Sequence, residues 1–573
     1  MSGYDGDRGS AGGDGSVGGG SAGGGARDGG ARDDSRGFDP RRNDSGRQRS
    51  ASRSRGDRSR TSQAPSERRK RTDPARMAAF DVLREVDEAD AYANLVLPPL
   101  LRERHIRGRD AGFATELAYG TLRLRGRYDA ILATCVDRPL PGLDAALLDV
   151  LRLGAHQLLG MRVPVHAAVS ETVGLARNRV GAGPAQMVNA VLRRVSERPL
   201  EEWLAVLEKE APDALTGLAA TESHPLWIAR AMREALAGNG RSVDEIGELL
   251  AADNVAPRVT LVARPGLVDA SDDDAWGDVD LVAGRWAPTA LRLEGTDPGA
   301  IPAVRDGLAG VQDEGSQLVT LALAGAPLVG GLVGDGSAAA DETERADGAA
   351  DAGGAAGAGG GAGAGGGAGR DVRWLDLCAG PGGKAALLGA LAAQRGARLV
   401  ANEVAPHRAR LVANALAALP DCAVEEVRTG DGRDIGTEEP GAYDRVLVDA
   451  PCTGLGALRR RPESRWRRTP SDLAALTSLQ RELLASALDA VRPGGVVAYV
   501  TCSPHLAETQ LVVTDVLKKR TDVERLDTPA VVRSVVRAGA GDEIPLADRD
   551  DVQLWPHVHG TDAMHLTLLR RTV

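Results

Sequence analysis

Residues 372–403 read VRWLDLCAGPGGKAALLGALAAQRGARLVANE. The apolar run VRWLDL has strand character. A glycine-rich turn follows, then GGKAALLGALAAQ, which suits a helix, then a second apolar run, ARLVANEV. The alternation continues downstream with HRARLVANALAAL, AVEEVRTGD, YDRVLVDAP, LAALTSLQRELLASALDAV and VVAYVTCSP. Strands alternating with helices predict an α/β domain over residues 371–573, a doubly wound sheet with mainly parallel strands. In such sheets ligands bind beyond the carboxyl ends of the strands, near the point where strand order reverses.

Upstream the texture changes three times. Residues 326–370 are Gly/Ala-rich (GAAGAGGGAGAGGGAGR) with an acidic patch, DETERAD, and read as a flexible insertion. Residues 201–325 mix a helical pattern, HPLWIARAMREALA, with strand-like APRVTLVA and LVAGRWAPTALRLEG, which predicts a small α+β module. Residues 73–200 carry apolar residues at helical spacing, as in PARMAAFDVLREV and LDAALLDVLRLGAHQLLG, and predict an all-helical domain. Residues 1–72 are Gly/Ser/Asp-rich, end Arg-rich, and cannot bury enough apolar area to offset their ordering entropy; they predict a disordered tail.

At 573 residues the chain is long enough for two to four units. Its net charge is −10, so any nucleic-acid surface must be local. The first 72 residues carry about +6 and the remainder about −16. Five cysteines, Cys135, Cys378, Cys422, Cys452 and Cys502, are scattered through the chain. That argues against a disulfide framework and for a reducing compartment. No apolar run is long enough to span a bilayer, and the N-terminal stretch has no apolar signal core, so a cytoplasmic location is the expectation.

Five turns at strand ends carry the chemistry. The first, Cys378-Ala379-Gly380-Pro381-Gly382-Gly383-Lys384, lets backbone approach a ligand at a helix N-terminus. By itself it fits a dinucleotide, a nucleotide or S-adenosylmethionine equally. Glu403 ends the second strand, where an acid can accept from both ribose hydroxyls. Asp431, in GDGR, follows the third and could meet an adenine; alone, either acid could be a solvated turn residue. Asp449-Ala450-Pro451-Cys452 and Thr501-Cys502-Ser503-Pro504 end two further strands. A lone cysteine in a sheet is usually core, whereas two at strand ends, each followed by a turn, are less readily so explained. A thiolate is the nucleophilic form, and its addition to C6 of a cytosine would make C5 able to attack an electrophilic methyl.

The motifs LDLCAGPGGK, GDGR, DRVLVDAPCTGLGALRRRPESRWRR and VTCSP together resemble the RNA cytosine-5 methyltransferases of the Sun/Fmu (RsmB) type. The resemblance covers roughly residues 73–325 and 370–573. It implies a Rossmann-like S-adenosylmethionine methyltransferase domain, preceded by a NusB-like all-helical RNA-binding domain over 73–200. It implies Cys502 as nucleophile, Cys452 as the group that assists release, and Asp449 and Lys384 as groups that orient or polarise the cytosine. Residues 378–384 with Glu403, Asp431 and Asp449 would line the cofactor site. GVQDEGSQLVTLAL resembles the helix that this family places before its catalytic sheet. The implied substrate is one cytosine of 16S rRNA, the implied cofactor is S-adenosylmethionine, and a monomer without metal is expected. Two departures stand out: CAGPGGK where CAAPGGK is usual, and GTDAMHLTLL where an aromatic pair often stands.

Two other readings remain open: a tRNA cytosine-5 methyltransferase, and an RNA-binding antitermination or assembly factor without catalysis. The four residues Lys384, Asp449, Cys452 and Cys502 weigh against the latter, since a binder has no need of both cysteines. Arg459, Arg460, Arg461, Arg465, Arg467 and Arg468 form a basic run just past Cys452 that could contact phosphates. His557, His559 and His565 lack a second ligand cluster and do not suggest a metal site, and His505 reads as an ordinary loop histidine.

Overall fold

This computed structural model of the protein describes residues 73–89, 91–295, 297–329 and 371–572. The expected tail over 1–72 and most of the Gly/Ala-rich stretch, 330–370, lie outside the described residues.

Helices follow one another from Pro74–Glu88 to Ile246–Asp253. Asp73 caps the first by accepting from the Ala75 N–H at 2.9 Å, with Pro74 in its first turn. Asp144 caps Ala145–Leu159 in the same way, from the Leu147 N–H at 3.0 Å. The periodic apolar residues meet in one cluster that includes Phe80, Leu83, Leu117, Ile131, Leu151, Val188 and Leu192. Full burial of such a side chain contributes about 2 kcal/mol, so tertiary packing rather than helix propensity holds this half together. A small antiparallel sheet follows, β1 (Val259–Ala263), β2 (Leu281–Ala283), β3 (Ala290–Leu293) and β4 (Ala309–Val311), in the order β2-β3-β1-β4. Helix Glu314–Gly325 comes next, capped by Asp313 through the Gly315 N–H at 2.9 Å, where the GVQDEGSQLVTLAL pattern placed a helix.

The large sheet holds β5 (Arg373–Asp376), β6 (Arg398–Asn402), β7 (Val424–Arg428), β8 (Tyr443–Asp449), β9 (Val491–Thr501), β10 (Val523–Arg525), β11 (Asp551–Gln553) and β12 (His565–Arg571). Its order is β10-β12-β9-β8-β5-β6-β7, with β11 on β12. Pairs β5–β6, β5–β8, β6–β7 and β8–β9 are parallel, and those made by β12 are antiparallel. Strand order reverses at β5, so the loop after it sits at the switch point.

Alternation along the strands fills two cores. Trp374, Leu399, Ala401, Leu447, Ala498 and Val500 pack under helices Glu314–Gly325 and Gly383–Gln394. Leu375, Leu377, Val400, Val446, Val448 and Tyr499 face Asp472–Ala490 and Gln510–Leu517 on the other side. A parallel strand covered on both faces is buried along its length, and β8 is buried from Tyr443 to Val448, with its two charged residues paired, Asp444 with Arg492 and Arg445 with Asp371.

The arginine run past Cys452 departs from its reading as an open phosphate surface. Arg465 is wholly buried and donates to the carbonyls of Arg123 at 2.9 Å, Ser223 at 3.1 Å and Asp253 at 2.9 Å, and to Asn254 Oδ1 at 2.8 Å. Arg467 donates to the Val86 and Ala91 carbonyls, both at 2.6 Å. Arg459 and Arg460 pair with Asp313 and Asp562. The fork geometry of guanidinium suits it to gathering several carbonyls at once. The run therefore fastens the helical half to the large sheet, and only Arg461 is exposed, with its guanidinium 4.9 Å from the Tyr92 ring centre.

Candidate active site

The first turn leaves β5 at Asp376 and enters helix Gly383–Gln394. Gly382 has φ +113°, and a Cβ there would lie 2.6 Å from Ala415 Cβ and 3.1 Å from the Val412 Cα, so backbone and neighbour both require glycine. At Gly380, where the usual motif has alanine, a Cβ would lie 2.2 Å from Glu403 Oε2. The glycine thus makes room for the Glu403 carboxylate, which accepts from the Gly380 N–H at 3.0 Å through Oε2 and from the Ala405 N–H at 3.0 Å through Oε1. Arg408 closes the turn by donating to the Gly380 carbonyl at 2.6 Å.

The strand ends are tied to one another. Asn402 donates to the carbonyls of Leu377 at 3.0 Å and Gly430 at 3.1 Å, joining the turns after β5, β6 and β7. Asp431 accepts from the Arg433 N–H at 3.0 Å and pairs with its guanidinium, which holds its carboxyl below the usual range. Asp376 is completely buried and no side chain pairs with either carboxylate oxygen. Burial first, then the charge of Asp449, pushes its carboxyl up to about 8, against the pull of Lys384.

Beyond β8 and β9 lie the two thiols. Cys452 Sγ and Cys502 Sγ are 3.4 Å apart. Parallel pairing of Asp449 with Val500 brings their loops side by side, and the Ala450 N–H donates to the Val500 carbonyl at 2.9 Å. The Gly456 N–H donates to the Cys502 carbonyl at 2.8 Å, and the Ala563 N–H to the Gly456 carbonyl at 2.8 Å. The GTDAM segment therefore packs its backbone against the cysteine loops, with Ala563 and Met564 buried. Lys384 Nζ sits 2.7 Å from Asp449 Oδ2. Although burial opposes its charge, the Asp449 carboxylate holds the Lys384 ammonium above its ordinary value. The Cys502 thiol is held below its ordinary value, chiefly by the hydrogen bond with Cys452, with Lys384 and Arg461 adding to this. Cys452 is pushed well up by the same hydrogen bond and by burial. The pair is thus asymmetric: one sulfur ready to carry negative charge, the other holding the proton.

The other cysteines stand apart. Cys378 lines the first turn, and burial followed by the charge of Asp376 keeps its thiol neutral. Cys135 is buried in the helical core and Cys422 is exposed. His505 accepts from the Ala507 N–H at 3.1 Å as a turn cap, and His557, His559 and His565 each engage different partners. The residues that the sequence reading passed over are Asp376, Asn402 and Arg408, together with the buried Glu508, to which Thr453 and Ser503 both donate.

Comparison with known proteins agrees with this geometry. Residues 369–570 match the family model "16S rRNA methyltransferase RsmB/F", and residues 73–197 match "NusB family". A Mycobacterium tuberculosis protein named as methyltransferase Rv1407 is 48% identical over 89% of this chain and 99% of its own. The ribosomal RNA small subunit methyltransferase B of Escherichia coli is 28% identical over 80% of this chain and 93% of its own. The crystal structure of PH0851 superposes with a TM-score of 0.65 at 19% identity, over 87% of this chain and 98% of that one, and shares the fold. The methyl donor of such an enzyme is S-adenosylmethionine, and the residues present fit it. The turn after β5 offers free N–H groups at a helix start, Glu403 keeps acceptor capacity at the second strand end, and the unpartnered Asp376 carboxylate suits a cationic ligand. The chain is a methyltransferase belonging to the 16S rRNA methyltransferase RsmB/F family.

Proposed function

We propose that the protein methylates carbon 5 of a cytosine in small-subunit ribosomal RNA through a covalent adduct on Cys502. The observation that carries this reading is the thiol pair at 3.4 Å with the Lys384–Asp449 pair beside it. Cys502, as thiolate, adds to C6, and the electron pair of the C5–C6 bond moves toward the ring carbonyl and N3. Lys384 and Asp449 orient the ring, and the Lys384 ammonium, held by the Asp449 carboxylate, stabilises that charge. S-adenosylmethionine, when bound, would supply the electrophilic methyl for C5, with S-adenosylhomocysteine as the leaving group. The C5 proton then leaves to a base, the C6–S bond breaks, and the C5–C6 double bond reforms. Cys452 assists this release. Residues 378–384, Glu403 and Asp431 hold the methyl donor. The target base must be unstacked or single-stranded to reach the sulfur, as bases in RNA loops and bulges are. The family name and the NusB-like helices favour ribosomal RNA over tRNA as substrate.

The test is the behaviour of the two cysteine variants. Cys502→Ala should abolish turnover and form no adduct. Cys452→Ala should accumulate a denaturation-resistant protein–RNA adduct, because addition survives while release fails. An adduct with Cys502→Ala and none with Cys452→Ala would reverse the roles.

A further inference from the structure

Each of the two cysteines is followed by a hydroxyl residue, Thr453 and Ser503, and both hydroxyls donate to one carboxylate. Glu508 Oε1 accepts from the Thr453 N–H at 2.8 Å and from the Gln480 side-chain amide at 3.2 Å. Its Oε2 accepts from the Ser503 hydroxyl at 2.7 Å and from the Thr453 hydroxyl. Gln480 also donates to the Pro451 carbonyl at 2.8 Å, and the Tyr499 hydroxyl donates to the Glu508 carbonyl at 2.7 Å. Glu508, Thr453, Ser503 and Gln480 are all buried. The donors to the carboxylate are all neutral. A buried charge held only by neutral donors is costly, and an apolar residue could fill the same space at less cost.

We propose that Glu508 is a positioning residue for the cysteine pair: it clamps the loop after β8 to the loop after β9, fixing Cys452 against Cys502. The clamp reaches the residue next to each cysteine, so its removal frees the two loops that set the spacing between the sulfurs. The charge is distributed unevenly. The Cys452 thiol is pushed up by its hydrogen bond with Cys502, by burial, by the Cys502 charge and by Glu508, whereas Cys502 answers to Cys452, Asp449, Lys384 and Arg461. Glu508 and Lys384 thus act on opposite partners and reinforce one asymmetry. The inference rests on the roles proposed above for the two cysteines.

Glu508→Gln in the full-length protein removes the charge while the Thr453 and Ser503 hydroxyls can rotate to suit the amide. Alkylation by iodoacetamide, followed for each cysteine by peptide mass spectrometry, needs neither RNA nor methyl donor. The expected result at pH 7.5 is a fall of about tenfold in the ratio of Cys502 to Cys452 alkylation, with the Cys452 pH midpoint lowered. In RNA methylation, kcat should fall about tenfold or more while the KM for RNA and for S-adenosylmethionine stays within about twofold. An unchanged alkylation ratio and an unchanged kcat overturn the proposal. If Glu508→Gln fails to fold, Ser503→Ala and Thr453→Val each remove one tie and keep the charge. Each should lower kcat with little change in KM, and full kcat in both overturns the clamp. A shifted alkylation ratio in a protein that leaves cytosine unmodified would keep this inference and sink the cytosine chemistry instead.

Discussion

Asp376 is the residue whose replacement should stabilise the protein and disable it together. Its carboxyl is fully buried with no side-chain partner, and its folded-state value of about 8 stands well above the ordinary 3.8. Between those values the folded form holds a proton that the unfolded form has lost. Stability on this account is complete below pH 3.8 and is lost progressively as pH rises to about 8, where the loss levels off. At 1.36 kcal/mol per pH unit the full span corresponds to about 6 kcal/mol, an upper bound because the Lys384 ammonium relieves part of it. Asp376→Asn keeps the shape and removes the titration. At pH 8.5 the variant should melt higher than the wild type by roughly 5–10 °C, and at pH 5 by only about a quarter of that. The assay is thermal unfolding from pH 5 to pH 9, with and without S-adenosylhomocysteine. The ligand should stabilise the wild type more at pH 8.5 than at pH 6 and should barely stabilise the variant, because a buried carboxylate short of partners is what a cationic amino-acid group satisfies. Equal melting of both proteins across the whole range would refute the argument.

Two further substitutions test the scaffold. Gly382→Ala places a Cβ 3.1 Å from the Val412 Cα at φ +113°, so it should cost about 1–3 kcal/mol and abolish cofactor binding by calorimetry, whereas a cofactor affinity equal to wild type would contradict the tight turn. Arg465→Met strands the carbonyls of Arg123, Ser223 and Asp253 and should cost about 3–5 kcal/mol, read as rapid proteolysis between the helical half and the large sheet; unchanged resistance would show that the buried guanidinium fastens nothing.

What could be read from the sequence was whatever depends on local pattern. VRWLDL followed by a glycine turn fixes a strand, a turn and a helix start, and the five polar turns all fall at carboxyl ends of strands in one sheet. The partners of those turns were not legible, because they come from far along the chain. Asn402 reaches Leu377 and Gly430 across 25 and 28 residues, and Glu508 reaches Thr453 across 55. The arginine run was misread for the same reason: charge in a sequence gives no sign of whether carbonyls 342 residues away will receive it. Asp376 passed as a strand residue, since orphaned burial is a property of packing alone.

The most direct test of the central claim is methyl transfer from labelled S-adenosylmethionine to purified 16S rRNA and to tRNA, with the modified base mapped. The account predicts 5-methylcytosine at a single position of 16S rRNA. Label only in tRNA, or a methyl group on any atom other than cytosine C5, would contradict it.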